Sequence, residues 1–150
     1  MSLEENRKNL IYFLEVAGPA LDFEFIDSFV HPDVVLPAEH FPAGMRGVDG
    51  LKEGLRSYDT IFRGSVNVTD SIAEADKVAV RIVTKANHIG EFLGIPPSGH
   101  YFECDEIMIA DFKDGKVVKF SRTADLYSLM RQLRGGPPNG DPPSSVTDQH

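Results

Sequence analysis

The run Tyr101–Asp125, YFECDEIMIADFKDGKVVKFSRTAD, constrains this chain more than any other stretch. It is rich in β-forming residues and broken at Asp114-Gly115. An Asp-Gly pair flanked by alternating apolar residues is the strongest short-range hairpin signal a sequence carries. Whichever face of that hairpin points inward takes carboxylates with it.

Two registers fit the hairpin. A two-residue loop pairs Phe112 with Val117 and sets Asp125 on one face with Glu106, Met108, Ala110, Phe112, Lys119 and Ser121, mixing charges into an apolar row. A three-residue loop with Gly115 as a left-handed bulge pairs Phe112 with Lys116 instead. Cys104, Met108, Ala110, Phe112, Val118, Phe120 and Ala124 then lie together, and Glu106 stands opposite Arg122. The second register is expected, because it collects the apolar residues and matches an acid with a base, a pairing worth about 0.2–1 kcal/mol. The other face then holds Asp105, Ile107, Ile109, Val117, Ser121, Thr123 and Asp125. An apolar lining with polar groups gathered at one end reads as the wall of a ligand pocket.

Upstream the apolar period is helical. Leu10, Phe13, Leu14 and Ala17 predict a helix over 4–17, stopped by Gly18-Pro19. Leu21, Phe25, Phe29 and Val30 predict a second helix that runs to His31-Pro32, followed by a short strand over 33–37 and a loop over 38–50. Asp49 is the expected N-cap of a third helix with the stripe Leu51, Leu55, Tyr58 and Phe62, closed by Gly64. From Val66 the period becomes two, giving a strand to Ile72, a turn at 74–76 and a longer strand over 77–89. The even face of that strand carries Val78, Val80, Ile82, Thr84, Ala86 and His88. Residues 90–99, GEFLGIPPSG, form a loop, and 126–133 a short last helix. The fold expected is α+β, with three N-terminal helices covering a curved antiparallel sheet. It forms one domain over 1–134, and the Pro/Gly-rich segment 135–150 has too little to bury to be ordered.

Charge and cysteine usage narrow the function. A formal net charge of −8 argues against nucleic acid and anionic lipid as partners. The single cysteine, Cys104, can form no intrachain disulfide, and no zinc-ligand spacing occurs, so no metal is expected. The sequence holds no phosphate-binding glycine loop, nucleophile elbow or H-E-x-x-H helix. No apolar run approaches the ~20 residues that span a bilayer, and charges interrupt the apolar residues of the N-terminus, so a cytoplasmic location is expected.

The run from His88 through Gly94-Ile-Pro-Pro-Ser-Gly99, the turn Asp114-Gly-Lys-Val117, then Asp125 and Leu129-Met-Arg-Gln-Leu133 resemble the SnoaL-like polyketide cyclases, over about residues 5–134. The resemblance implies a cone-shaped α+β barrel of the nuclear-transport-factor and ketosteroid-isomerase type, usually a homodimer, around one internal apolar cavity. It implies a cofactor-free enzyme in which the Asp matching Asp125 is the general acid/base of an intramolecular aldol condensation and the His matching His88 is a pocket residue. Three departures stand out. Lys119 and Ser121 replace a frequent Glu and Trp, Asp111 replaces a frequent Arg, and Arg63-Gly64 replace a common Pro-Asp.

Each candidate has a structural alternative. Asp125 in an apolar cavity would have its charged form disfavoured, which suits a group that must both take and give a proton; it also stands where the last helix needs an N-cap. His88 either assists Asp125 or bonds a loop carbonyl. Asp105, Ile107, Ile109 and Ser121 share the Asp125 face and are the expected substrate contacts, with an exposed strand-edge charge the favoured alternative for Asp105. Tyr12 and Phe41 are expected at the mouth, with His40 and Met45 beside them. Glu106 and Arg122 read as a structural or interface ion pair, and Cys104 as core. The partner expected is a small hydrophobic carbonyl compound, bound either for turnover or for carriage alone.

Overall fold

The computed structural model describes residues 2–37 and 45–137. Helix α1, Leu3–Tyr12, begins at Ser2, whose hydroxyl accepts the Glu5 N–H at 3.1 Å. The helix does not stop there but loosens into a π-helical turn, Phe13–Ala17. That turn is closed by the Gly18 N–H donating to the Phe13 carbonyl at 2.7 Å. Glycine is needed at this point, since a Cβ on Gly18 would lie 2.9 Å from the same oxygen. Helix α2, Phe23–Phe29, is capped by Asp22, which accepts the Phe25 N–H.

The second helix ends before Val30, and the strand expected over 33–37 is instead β1, Val30–Val35. Val30 and Val34 are buried against the sheet, which draws the chain into extended form early. Pro32 is tolerated because β1 lies at the sheet edge. Helix α3, Gly47–Ile61, starts ahead of Asp49, which sits in its first turn rather than at its cap. It also ends before Phe62, whose backbone opens β2, Phe62–Glu74. The close approach of β2 to β3 explains Gly64, since a Cβ there would fall 2.0 Å from the Lys85 carbonyl oxygen.

Strands β3, Lys77–His88, β4, Tyr101–Lys113, and β5, Lys116–Ala124, complete a sheet of order β1-β5-β4-β3-β2. All neighbours are antiparallel except β1, which runs parallel to β5. The sheet is therefore mixed and unclosed, where an all-antiparallel one was expected. Helix α4, Leu126–Leu133, has the predicted bounds. It ends in a Schellman motif, with Gly136 N–H bonded to the Arg131 carbonyl and Gly135 N–H to that of Gln132. The rest of the predicted tail lies outside the described residues.

The β4–β5 hairpin closes on the two-residue loop and not on the expected three-residue loop with Gly115 as a bulge, so the expected pairing of Phe112 with Lys116 does not form. Asp114 and Gly115 both have positive φ, 52° and 76°, as a two-residue type I′ turn requires, and Phe112 pairs with Val117. One residue later the register shifts, so that Asp111 faces Lys119 and Ala110 faces Phe120. The extra residue is Val118, a bulge in β5 rather than in the turn. Val117 and Phe120 are both buried although three residues apart, and the bulge is what lets one face hold both. Asp111 stands opposite Lys119 across the strands, while it forms its ion pair, at 2.9 Å, with Lys77.

Two apolar clusters hold the fold. One joins α1, α2 and β1 to the sheet through Leu10, Phe13, Ile26, Phe29, Ile82, Met108 and Phe120. The other gathers Phe62, Ile95, Phe102, Cys104, Leu129 and Leu133 under the 90–99 loop and α4. Among the described residues no helix is long and apolar enough to cross a membrane.

Candidate active site

A cavity of about 210 Å³ lies where the two clusters meet. The π-helical turn contributes Phe13 and Leu14, α3 contributes Leu55, Tyr58 and Asp59, and the sheet contributes Ile82, Thr84, Glu106, Met108 and Arg122. π-helical turns recur at functional sites, and here one aims two apolar side chains at the lining.

The polar groups converge from four elements. Arg122 Nη2 donates to Glu106 Oε1 at 2.6 Å, with the Glu106 side chain 7% exposed and that of Arg122 24%. The pair was expected, but it forms between diagonal neighbours: Met108 is opposite Arg122, and Glu106 is opposite Ala124. Burial of the guanidinium opposes its charge, and the Glu106 carboxylate outweighs that burial, holding the Arg122 pKa above its ordinary value. Arg122 Nε is buried without a hydrogen-bond partner among the described residues. Tyr58 lines the cavity beside Thr84, and burial, followed by the nearby Glu106 charge, pushes its hydroxyl pKa up to about 12. Tyr58 is therefore a phenol, able to donate, throughout the physiological range. Glu106 and Arg122 form the cavity's inner charges, and Asp59 and Arg63 add one of each sign nearer the helices.

This reverses the face expected to line the pocket. Side chains of β4 that point inward are Phe102, Cys104, Glu106, Met108, Ala110 and Phe112, all buried, whereas Ile107 and Ile109 are 56% and 39% exposed. The physical reason is the apolar coherence already visible in the hairpin: the face with the most apolar surface goes to the core, and the cavity opens within that face. Asp105, Ile107, Thr123 and Asp125 instead border a solvent-open depression on the outer face, where Arg81 approaches Asp105 at 3.7 Å. Ser121 is opposite Ile109 on that same outer face.

Asp125 is exposed and caps α4, its carboxylate accepting the Ser128 N–H at 3.1 Å. His88 is fully buried, with its ring beside Phe62, but does not line the cavity. Its Nδ1 accepts the Ser98 N–H at 3.2 Å and meets the Ser98 hydroxyl at 2.9 Å, fastening the 90–99 loop. Its Nε2 is buried without a partner among the described residues. Tyr12 is 42% exposed and packs its ring edge on Phe25, away from the cavity lining. Phe41 and His40 lie outside the described residues. Cys104 is core, as expected, with burial and then the Glu106 charge raising its thiol pKa to about 12.

Sequence reasoning placed Glu106 and Arg122 together but not in a cavity, and counted Tyr58 and Thr84 as parts of apolar stripes. The signal was present: Thr84, Glu106 and Arg122 are polar residues at inward positions of otherwise apolar strand faces. Among the described residues no group of three or more His, Cys, Asp or Glu is arranged to hold a metal ion.

Comparison with known proteins agrees with this architecture. The chain is 26% identical over 110 residues to the aklanonic acid methyl ester cyclase AcmA of Streptomyces galilaeus, covering 72% of this chain and 76% of that one. It is 28% identical over 130 residues to the nogalonic acid methyl ester cyclase of Streptomyces nogalater, covering 78% and 84%. Among solved structures, TsrD from Streptomyces laurentii superposes with a TM-score of 0.79 at 29% identity, over 89% of this chain and 97% of that one. IdmH from Streptomyces antibioticus, a putative polyketide cyclase, does so with 0.73 at 27%, over 86% and 98%. The family model described as SnoaL-like polyketide cyclase matches residues 13–133, and the chain belongs to that family.

Proposed function

We propose that this chain is a cytoplasmic, cofactor-free enzyme that closes a ring in a small hydrophobic carbonyl compound by intramolecular aldol condensation. The observation that carries the reading is the cluster Glu106–Arg122–Tyr58–Thr84 inside an apolar cavity. Aldol closure needs a base to take a proton from the carbon beside one carbonyl, and donors to hold the oxyanion that follows. Glu106 is the base, as the inner carboxylate of the cavity. Arg122 Nε, with no partner of its own, and the Tyr58 hydroxyl are the donors. The enolate carbon then attacks the second carbonyl, a carbon–carbon bond forms, and the proton held by Glu106 passes to the new alkoxide. Atoms and charge balance with no outside reactant. The names of the related aklanonic and nogalonic acid methyl ester cyclases support ring closure as the reaction class.

Glu106→Gln tests the reading with a β-diketone that can cyclise. A general base contributes about 10²–10⁴ in rate, so turnover falls by at least a hundredfold while Asp105→Asn stays within about twofold. Unchanged turnover in Glu106→Gln would remove the assignment. One observation favours carriage without chemistry: the Glu106 carboxylate is already paired with Arg122, and a binding protein needs no free base. Ligand retained by the wild type with no product formed would decide for that reading.

The proposal includes a homodimer through the outer sheet face, supported by the exposed Ile107 and Ile109 there. Light scattering of Ile107→Lys checks it. A twofold loss of mass at micromolar concentration is expected; an unchanged mass rejects that face.

A further inference from the structure

A second chamber, of about 100 Å³, adjoins the first. Tyr58, Phe62, Thr84, Glu106 and Arg122 line both, so these five side chains are a partition with a cavity on either side. The walls belonging to the smaller chamber alone come from Phe92, Phe102, Cys104, Ala124, Leu126 and Leu129. None of these carries a charge, and the Cys104 thiol stays protonated. The charged groups that reach the smaller chamber, Glu106 and Arg122, therefore stand at the partition, and the walls beyond it are uncharged.

We propose that the smaller chamber is a side-arm pocket that takes a short alkyl group attached to the substrate's reacting carbonyl, while the ring-forming body stays in the larger cavity. The proposal rests on the acid/base reading, which fixes the reacting carbonyl at Tyr58 and Arg122. The size of the arm follows from the volume. An apolar cavity of ~150 Å³ accommodates benzene, so a chamber two-thirds that size takes an arm of about four carbons or fewer, and no ring. The substrate class is thus an alkyl ketone, branched at the partition into a large body on one side and a short tail on the other.

The test is binding of 2-acylnaphthalenes whose acyl tails run from two to ten carbons, measured by titration calorimetry on the wild-type chain. Affinity should rise about three- to fourfold per added methylene while the tail fills the chamber. It should then break near a five-carbon acyl group and fall beyond it. Ala124→Leu, which fills the chamber, moves the break to a shorter tail. Leu129→Ala, which enlarges it, moves the break to a longer one. An affinity that climbs without a break to ten carbons overturns the proposal, as does a break that neither variant moves. If both variants fail to fold, the wild-type series alone still decides. Because binding is read here and turnover in Glu106→Gln, the two readings fail separately. A chain-length break with undiminished Glu106→Gln turnover sinks only the acid/base assignment. No break with that turnover abolished sinks only the side-arm pocket.

Discussion

The two faces of the β4–β5 hairpin carry similar chemistry to opposite ends. On the inner face one acid and one base, Glu106 and Arg122, sit among Met108, Ala110 and Phe120 and close on each other at 2.6 Å. On the outer face Asp105 stands among Ile107 and Thr123 and is approached by Arg81 of the neighbouring β3 only to 3.7 Å, in contact with solvent. An ion pair in water is worth little, because both charges are already solvated. The same pair facing a cavity is costly to leave incomplete, and the unpartnered Nε of Arg122 directs that demand toward a ligand. A carboxylate count along the sequence does not separate these situations; the apolar company on the same face does.

The largest expected effect separates the faces by packing. Phe120→Ala should destabilise by about 3–5 kcal/mol in urea unfolding, as large-to-small core changes do, whereas Ile109→Ala should cost about 1 kcal/mol or less. Both are measured at concentrations where the chain is monomeric, since the proposed dimer would cover Ile109; equal losses there would mean that Ile109 packs within one chain as Phe120 does. A smaller effect concerns Asp125. Asp125→Ala should cost about 1 kcal/mol through loss of the α4 cap, and Asp125→Ser, which keeps a capping oxygen, should restore most of it with turnover unchanged. Turnover lost in Asp125→Ser would return Asp125 to the chemistry.

A third effect is alkaline. Tyr58 and Cys104 rise from ordinary values of 10.0 and 9.0 to about 12 in the folded chain. The folded state then holds these protons more tightly than the unfolded one. Their contribution is complete below pH 9 and is lost as pH climbs toward 12. Unfolding midpoints at pH 8.5, 10 and 11.5 should decline, and Tyr58→Phe should flatten the upper part of that decline. A decline unaltered by Tyr58→Phe would place the phenol outside the buried cluster.

Much of the fold was legible because it depends on local periodicity. The even face of β3 is buried from Val78 to His88 as its alternation predicts, and α4 has the bounds its sequence suggests. The misread elements are those decided by distant partners. Val30 looks helical by spacing, and becomes strand because β5 offers it a parallel edge. The cavity was missed for the same reason: Tyr58, Thr84, Glu106 and Arg122 come from four elements, and no spacing within any one of them records their meeting. The outer face had the composition of a pocket wall, but composition does not say which side the helices cover.

The Val118 bulge works like a shift of reading frame. With it, β5 presents Val117, Phe120 and Arg122 to the interior. Ironed flat, with every residue kept, the same strand would turn Lys119, Ser121 and Thr123 inward and send Phe120 and Arg122 to the surface. Glu106 would lose its counterion and the cavity one of its donors, although no residue in the cavity had changed. The polar character of the interior is thus set by one slack residue near a surface turn. Insertions or deletions around Lys116–Lys119 are then a more powerful way to rewrite the site than substitutions within it.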